Sequence, residues 1–215
     1  MKKPSPRRAG GTPAAGGRSP EAAAAAAALF STRLLQRDEE EPLVGWSERA
    51  PRAHAEPFDA ERGAELFALH WRADHHGIVL APEELARLAG YLRFVSVPAR
   101  QEVIGQDEQG NYLLMLLEGR VAVDRVLDRS HGSRLVEVVA GDFLGEMSLL
   151  DAGARFSACT TLTPCVLAVL EAHRLDDMMA GEPRLALALL TSLARRLSLR
   201  LRQVSARLSA LLSGG

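Results

Sequence analysis

Between residues 94 and 170 the chain breaks into seven short apolar stretches, at 94–97, 102–105, 112–117, 121–127, 135–139, 157–161 and 165–170. Turn formers separate them: Pro98, the polar run 107–111, the run 128–133, the Gly141 corner at 140–142, and Pro164. Stretches this short are long enough for strands and too short for helices. Several strands at such spacing must pack two faces together, so a sandwich or jelly roll is expected. Helical patterns flank the strands. Leu66, Phe67 and Leu69 mark one over 61–72, and Pro82-Glu83-Glu84 opens another through Leu92. Helix returns over 172–180 and 183–211. Pro at the first turn with acids behind it suits a helix start. The expected class is mainly β with flanking helices.

The 215 residues are 47% hydrophobic with a formal net charge of -1. That supports one real core and gives no general argument for binding nucleic acid or membranes. No apolar run reaches the ~20 residues of a membrane span, so no transmembrane segment is expected. Basic residues open the chain, but the apolar stretch 22–30 is mostly alanine between Glu21 and Arg33. It makes a poor export signal, and a cytoplasmic protein is expected. Cys159 and Cys165 lie in strand-like sequence and read as buried thiols rather than a disulfide. Residues 1–56 read as a low-complexity, largely disordered extension. Within it an Ala-rich helix follows Ser19-Pro20-Glu21, and 43–58 reads as linker. Residues 57–81 form a helical lead-in, and the domain proper runs over 82–215. His70, Asp74, His75 and His76 suggest metal ligands at a glance, but no second cluster accompanies them. They read as a solvated helix end.

The last helix has the clearest period. Leu187, Leu190, Ala194, Leu197, Leu201, Val204, Leu208 and Leu211 alternate steps of three and four, a heptad seam. Leu189, Leu193 and Leu199 fall off it. One face can then pack on the strands while the seam meets a second copy, so a homodimer through 187–211 is expected over a single broad core-facing stripe. The same helix carries six arginines and no acid. They read as charged coiled-coil flanks, with an acidic partner, nucleic acid or a membrane surface as the sharper readings.

The segment from Gly141 to Ala158 carries the chemistry. Gly145 permits close backbone approach, and a short helix is expected to begin at Glu146. Nine residues on stands Arg155, always charged and suited to phosphate. A carboxylate, helix amides and an arginine together suit a sugar phosphate. By spacing alone this is a weak signal, since a glutamate and an arginine so placed are more often a surface salt bridge worth little.

Gly145, Glu146, Met147, Ser148, Leu149 and Arg155 resemble, in register, the phosphate-binding cassette of the cyclic-nucleotide-binding domain family. Residues Val103-Ile104 to Gly119 resemble that family's second and third strands, and 194–197 the start of the long helix in its catabolite activator branch. The likeness spans Pro82 to Leu211. It implies a double-stranded β-helix jelly roll with a long C-terminal helix, binding cyclic AMP or cyclic GMP and needing no cofactor. The implied ligand-binding residues are Leu144, Gly145, Glu146, Met147, Ser148, Arg155, Phe156, Ser157 and Arg200. Glu146 would accept from the ribose 2'-hydroxyl, Arg155 would pair with the cyclic phosphate, and amides near Ser148 and Phe156 would complete the cradle.

Three positions depart from the family pattern. Ala154 and Phe156 replace the usual proline and small residue around the arginine, and Asp107 replaces a turn glycine. By an ungapped count, Arg200 falls at the position of a base-contacting hydroxyl. It can stack on the base, bond a purine edge, or be a solvated charge. The family's DNA-reading module would follow the long helix. The sequence ends at Gly215, so no DNA-binding domain is expected. These readings lead to a cyclic-nucleotide sensor, with cyclic AMP first, that signals through an unidentified effector protein. The other reading is a ligand-free jelly-roll scaffold using its basic helix. No Ser-His-Asp or Cys-His arrangement points to an enzyme.

Overall fold

A computed structural model of the chain describes residues 43–74, 78–128 and 131–213. The N-terminal alanine-rich helix, His75 and His76 lie outside the described residues. In chain order the elements are β1 (Leu43–Val44), α1 (Trp46–Arg52), β2 (Glu56–Pro57), α2 (Ala60–Ala73), α3 (Pro82–Ala89), β3 (Arg93–Val97), β4 (Glu102–Ile104), β5 (Gln109–Gly110), β6 (Tyr112–Glu118), β7 (Arg120–Asp128), β8 (His131–Val139), β9 (Phe143–Leu144), α4 (Glu146–Asp151), β10 (Ala158–Thr161), β11 (Cys165–Glu171), α5 (Ala172–Gly181) and α6 (Pro183–Ser213).

Strands β6 and β11 are apolar at every position before their closing Glu118 and Glu171 because both of their faces are buried. Tyr112, Leu114 and Leu116, with Leu167 and Val169, face the interior of the roll. Leu113, Met115 and Leu117, with Ala168 and Leu170, face the helices. The strand period of two sorts one continuous run into two cores. The five-stranded sheet runs β2-β3-β11-β6-β9 and the four-stranded sheet β4-β10-β7-β8. The ladders within these two sheets are antiparallel. The jelly roll expected from the turn spacing is the observed architecture. Strand β8 begins at His131, inside the expected turn, because it pairs with β7 down to Asp128.

Helix α2 starts where the Asp59 side chain accepts from the Arg62 amide at 2.8 Å. Helix α3 starts at Pro82, with the Glu84 carboxylate accepting from the Ala81 amide at 2.9 Å. Both pack with α5 and the first part of α6 over the outer face of the five-stranded sheet.

The linker reading of 43–58 is corrected. The segment forms β1, α1 and β2, and the Trp46 ring is fully buried. Strand β1 pairs in parallel with β5, Leu43 with Gln109 and Val44 with Gly110. Strand β2 pairs antiparallel with β3. The solvated-end reading of His70 and Asp74 is also corrected. His70 Nε2 lies 2.8 Å from the Leu117 carbonyl oxygen, and Asp74 binds Arg196 of α6 at 2.9 Å. Among the described residues no group of three His, Cys, Asp or Glu is placed to hold a metal ion.

Candidate functional site

The site forms where β9 leaves the five-stranded sheet. Leu144 is buried and pairs with Leu114 of β6. Gly145 then turns the chain at φ 75°, a left-handed conformation that favours glycine. A Cβ there would stand 2.3 Å from Arg155 Nη1, so the position needs glycine for space as well. Glu146 opens α4 and is buried, as is Ser148. Met147 between them is exposed.

Arg155 is 1% exposed. Its Nη1 donates to the Gly145 carbonyl at 2.7 Å and its Nη2 to the Tyr112 carbonyl at 2.5 Å. The guanidinium lies 4.6 Å from the centroid of the Tyr112 ring. Among the described residues its Nε has no hydrogen-bond partner. Gly110 of β5 presses its backbone on the same group; a Cβ there would meet Nε at 2.3 Å. The Arg155 backbone is held as firmly. Its N–H donates to the Glu108 carbonyl at 2.9 Å, and its carbonyl accepts from the Asp107 amide at 2.8 Å. Asp107 sits at φ 63°, so the residue in the usual glycine place does adopt the left-handed turn. Burial pulls the Arg155 guanidinium below its ordinary range, against the raising effect of Tyr112 and Glu108.

The surface salt bridge between Glu146 and Arg155 is not what forms. Glu146 pairs instead with Arg200 of α6, at 2.9 Å from Nη1 to Oε1. Burial raises the Glu146 carboxyl above its ordinary value, and Arg200, ahead of the N-terminal amide and Arg155, opposes that rise. In this structure Arg200 is ion-paired to the carboxylate rather than a solvated charge. Phe156 is exposed, with the Arg125 guanidinium 3.9 Å above its ring. Ser157 is half-buried beside it.

Leu144, Gly145, Glu146, Arg155 and Arg200 thus come together, while Met147 and Phe156 point to solvent. The expected set lacks Tyr112 and Gly110, which contact Arg155 directly. A tyrosine opening a leucine-rich strand, two residues beyond a turn glycine, was the available signal.

Comparison with known proteins agrees with this geometry. Residues 94–182 match the family described as cyclic nucleotide-binding domain. The CRP-like cAMP-activated global transcriptional regulator of Mycobacterium tuberculosis is 30% identical over 116 residues, 54% of this chain and 52% of that protein. The cAMP-activated global transcriptional regulator CRP of Haemophilus influenzae is 31% identical over 109 residues, 50% of this chain and 49% of that protein. The chain therefore spans about half the length of the curated relatives it matches. A cyclic nucleotide-binding domain from Methylobacillus flagellatus superposes with a TM-score of 0.64 at 24% identity, covering 73% of this chain and 88% of that one. The Thermus thermophilus catabolite activator protein superposes at 0.55 with 27% identity, covering 61% and 60%.

Proposed function

We propose, from the premise that residues 94–182 form a cyclic nucleotide-binding domain, that this chain is a regulatory sensor that binds cyclic AMP in preference to cyclic GMP. Its homodimer through residues 187–211 passes the signal to an effector protein in the cytoplasm. The observation that carries the reading is a buried carboxylate and a buried guanidinium on either side of the left-handed Gly145. Buried charges are costly unless partnered, and this pair has the donor and acceptor that a ribose cyclic phosphate needs. Glu146 is the acceptor for the 2'-hydroxyl. Among the described residues the Arg155 Nε–H has no partner, and Nη1 has a bond to the Gly145 carbonyl that it can exchange for a phosphate oxygen.

The Arg200 contact supplies the link to the output. A ribose hydroxyl that bonds Glu146 competes with a guanidinium borne on α6. Binding therefore has differential affinity for helix positions, the requirement for a shift between two states. The two curated relatives, both cAMP-activated regulators, support the choice of base.

One observation favours the scaffold reading. The guanidinium of Arg155 is already bonded to two backbone carbonyls and closed off from solvent, which suits a structural role. Isothermal titration of the full chain separates the two. Heat of binding with cyclic AMP, weaker with cyclic GMP, and an affinity reduced about tenfold or more in Arg155→Lys would fit loss of a charge-assisted bond worth about 1.5–3 kcal/mol. No heat with either nucleotide from the folded protein would establish the scaffold.

A further inference from the structure

Arg49 lies on α1, outside the 94–182 segment that matches the family, and it is buried beside the cassette. We propose that Arg49 is a positioning residue for Arg155, so that residues 43–53 belong to the nucleotide-binding unit; the inference rests on the sensor reading above.

The connection runs through Glu108. Arg49 binds Glu102 at 3.0 Å through Nη1 and binds Glu108 through Nη2. The other oxygen of Glu108 accepts from the Gly105 amide at 2.9 Å, closing the turn that begins there. The Glu108 carbonyl in turn accepts from the Arg155 amide. One residue is therefore held on its side chain by Arg49 and holds Arg155 by its backbone. The next strand makes a second connection: Val44 pairs with Gly110, whose backbone lies against the Arg155 guanidinium. Trp46 makes a third, edge-on to Tyr112 with centroids 5.3 Å apart, and Tyr112 stacks with and accepts from Arg155.

The charges explain why an arginine is needed there. Glu108 is largely buried, and a buried carboxylate without its cation is strongly disfavoured. Without Arg49 the turn would relax to bring Glu108 to water, and Arg155 would move with it. A phosphate contact tolerates little displacement. The substitution therefore acts on affinity through geometry, without touching the ligand.

The test uses the full chain with Arg49→Gln and Arg49→Lys, followed by amide hydrogen exchange without nucleotide and by titration with cyclic AMP. In Arg49→Gln, the Asp107 and Arg155 amides are expected to exchange at least about tenfold faster, with Leu167 in the core unchanged. Cyclic AMP affinity should fall about tenfold or more, and Arg49→Lys should recover most of both. Unchanged exchange at the two amides overturns the inference. So does local opening with unchanged affinity. Should Leu167 also lose protection, Glu108→Gln replaces Arg49→Gln and must open the same two amides. An unsubstituted protein that binds no nucleotide refutes the sensor reading; exchange at Asp107 and Arg155 then decides on its own whether Arg49 holds the loop.

Discussion

The two halves of helix α6 have nearly the same composition and opposite surroundings. In the first half, Leu185, Ala188, Leu189, Ser192 and Leu193 are buried against α5 and the helical side of the sheet. From Leu201 to Ser213 every residue is exposed, although leucine recurs at the same heptad spacing. Leu187 belongs to the seam and is exposed even within the packed half. Apolar content therefore does not decide burial along this helix. The extent of the roll does: it covers one stripe of the first half and ends before the second begins. The junction is polar, with Arg196 bound to Asp74 and Asp142 and Arg200 bound to Glu146. A helix packed at one end and exposed at the other, with Glu146, the carboxylate proposed to bind the ribose, at the boundary, suits transmission of a small shift.

The largest expected effect falls on the packed half. Leu193→Ala should cost about 2–5 kcal/mol in chemical denaturation, at every protein concentration. An equal loss that vanished at high concentration would place Leu193 in an intermolecular contact and erase the distinction between the halves. The free half should give the converse. Val204→Asp with Leu208→Asp should change protomer stability by no more than about 0.5 kcal/mol and abolish self-association in sedimentation. If the doubly substituted chain sediments like the parent, the seam is not the dimer contact.

The junction should give a small stability effect and the most particular one. Burial raises the Glu146 carboxyl in the folded protein, so the folded state holds that proton more tightly than the unfolded chain does. Between the ordinary carboxylate value and the raised one, this group's contribution to stability is present on the acid side and is lost as pH rises. Glu146→Gln removes that titration. At neutral pH it should be as stable as the parent within about 1 kcal/mol, or more stable, because it no longer buries a charge. Stability measured from pH 4 to pH 8 should fall less steeply with rising pH in the variant, while nucleotide affinity drops. Coincident pH profiles would mean that Glu146 has no unusual titration and that Arg200 offsets its burial in full.

The buried strands were legible because their pattern is local. The runs at 112–117 and 165–170 need only their own residues to announce a strand buried on both faces. The cassette was legible through its resemblance to the family's motif, since by spacing alone the glycine, glutamate and arginine within eleven consecutive residues fit a surface salt bridge. The segment 43–57 was not. Helix α1 has seven residues, with Pro51 inside it and Trp46 as its one large apolar group, too short for a period to appear. Its order comes from a distant strand, β5, and from Glu108.

The sequence by itself determined the roll, the flanking helices and the presence of Glu146 and Arg155 near one glycine, since alternation and short-range spacing constrain the chain locally. Only the tertiary structure decided which charges meet. Arg200 reaches Glu146 across 54 positions and Arg49 reaches Glu108 across 59, and Arg155 turns inward to carbonyls rather than toward either acid. Ion pairing depends on distance in space and on burial, and no periodicity in the chain encodes which of several arginines a buried carboxylate will face.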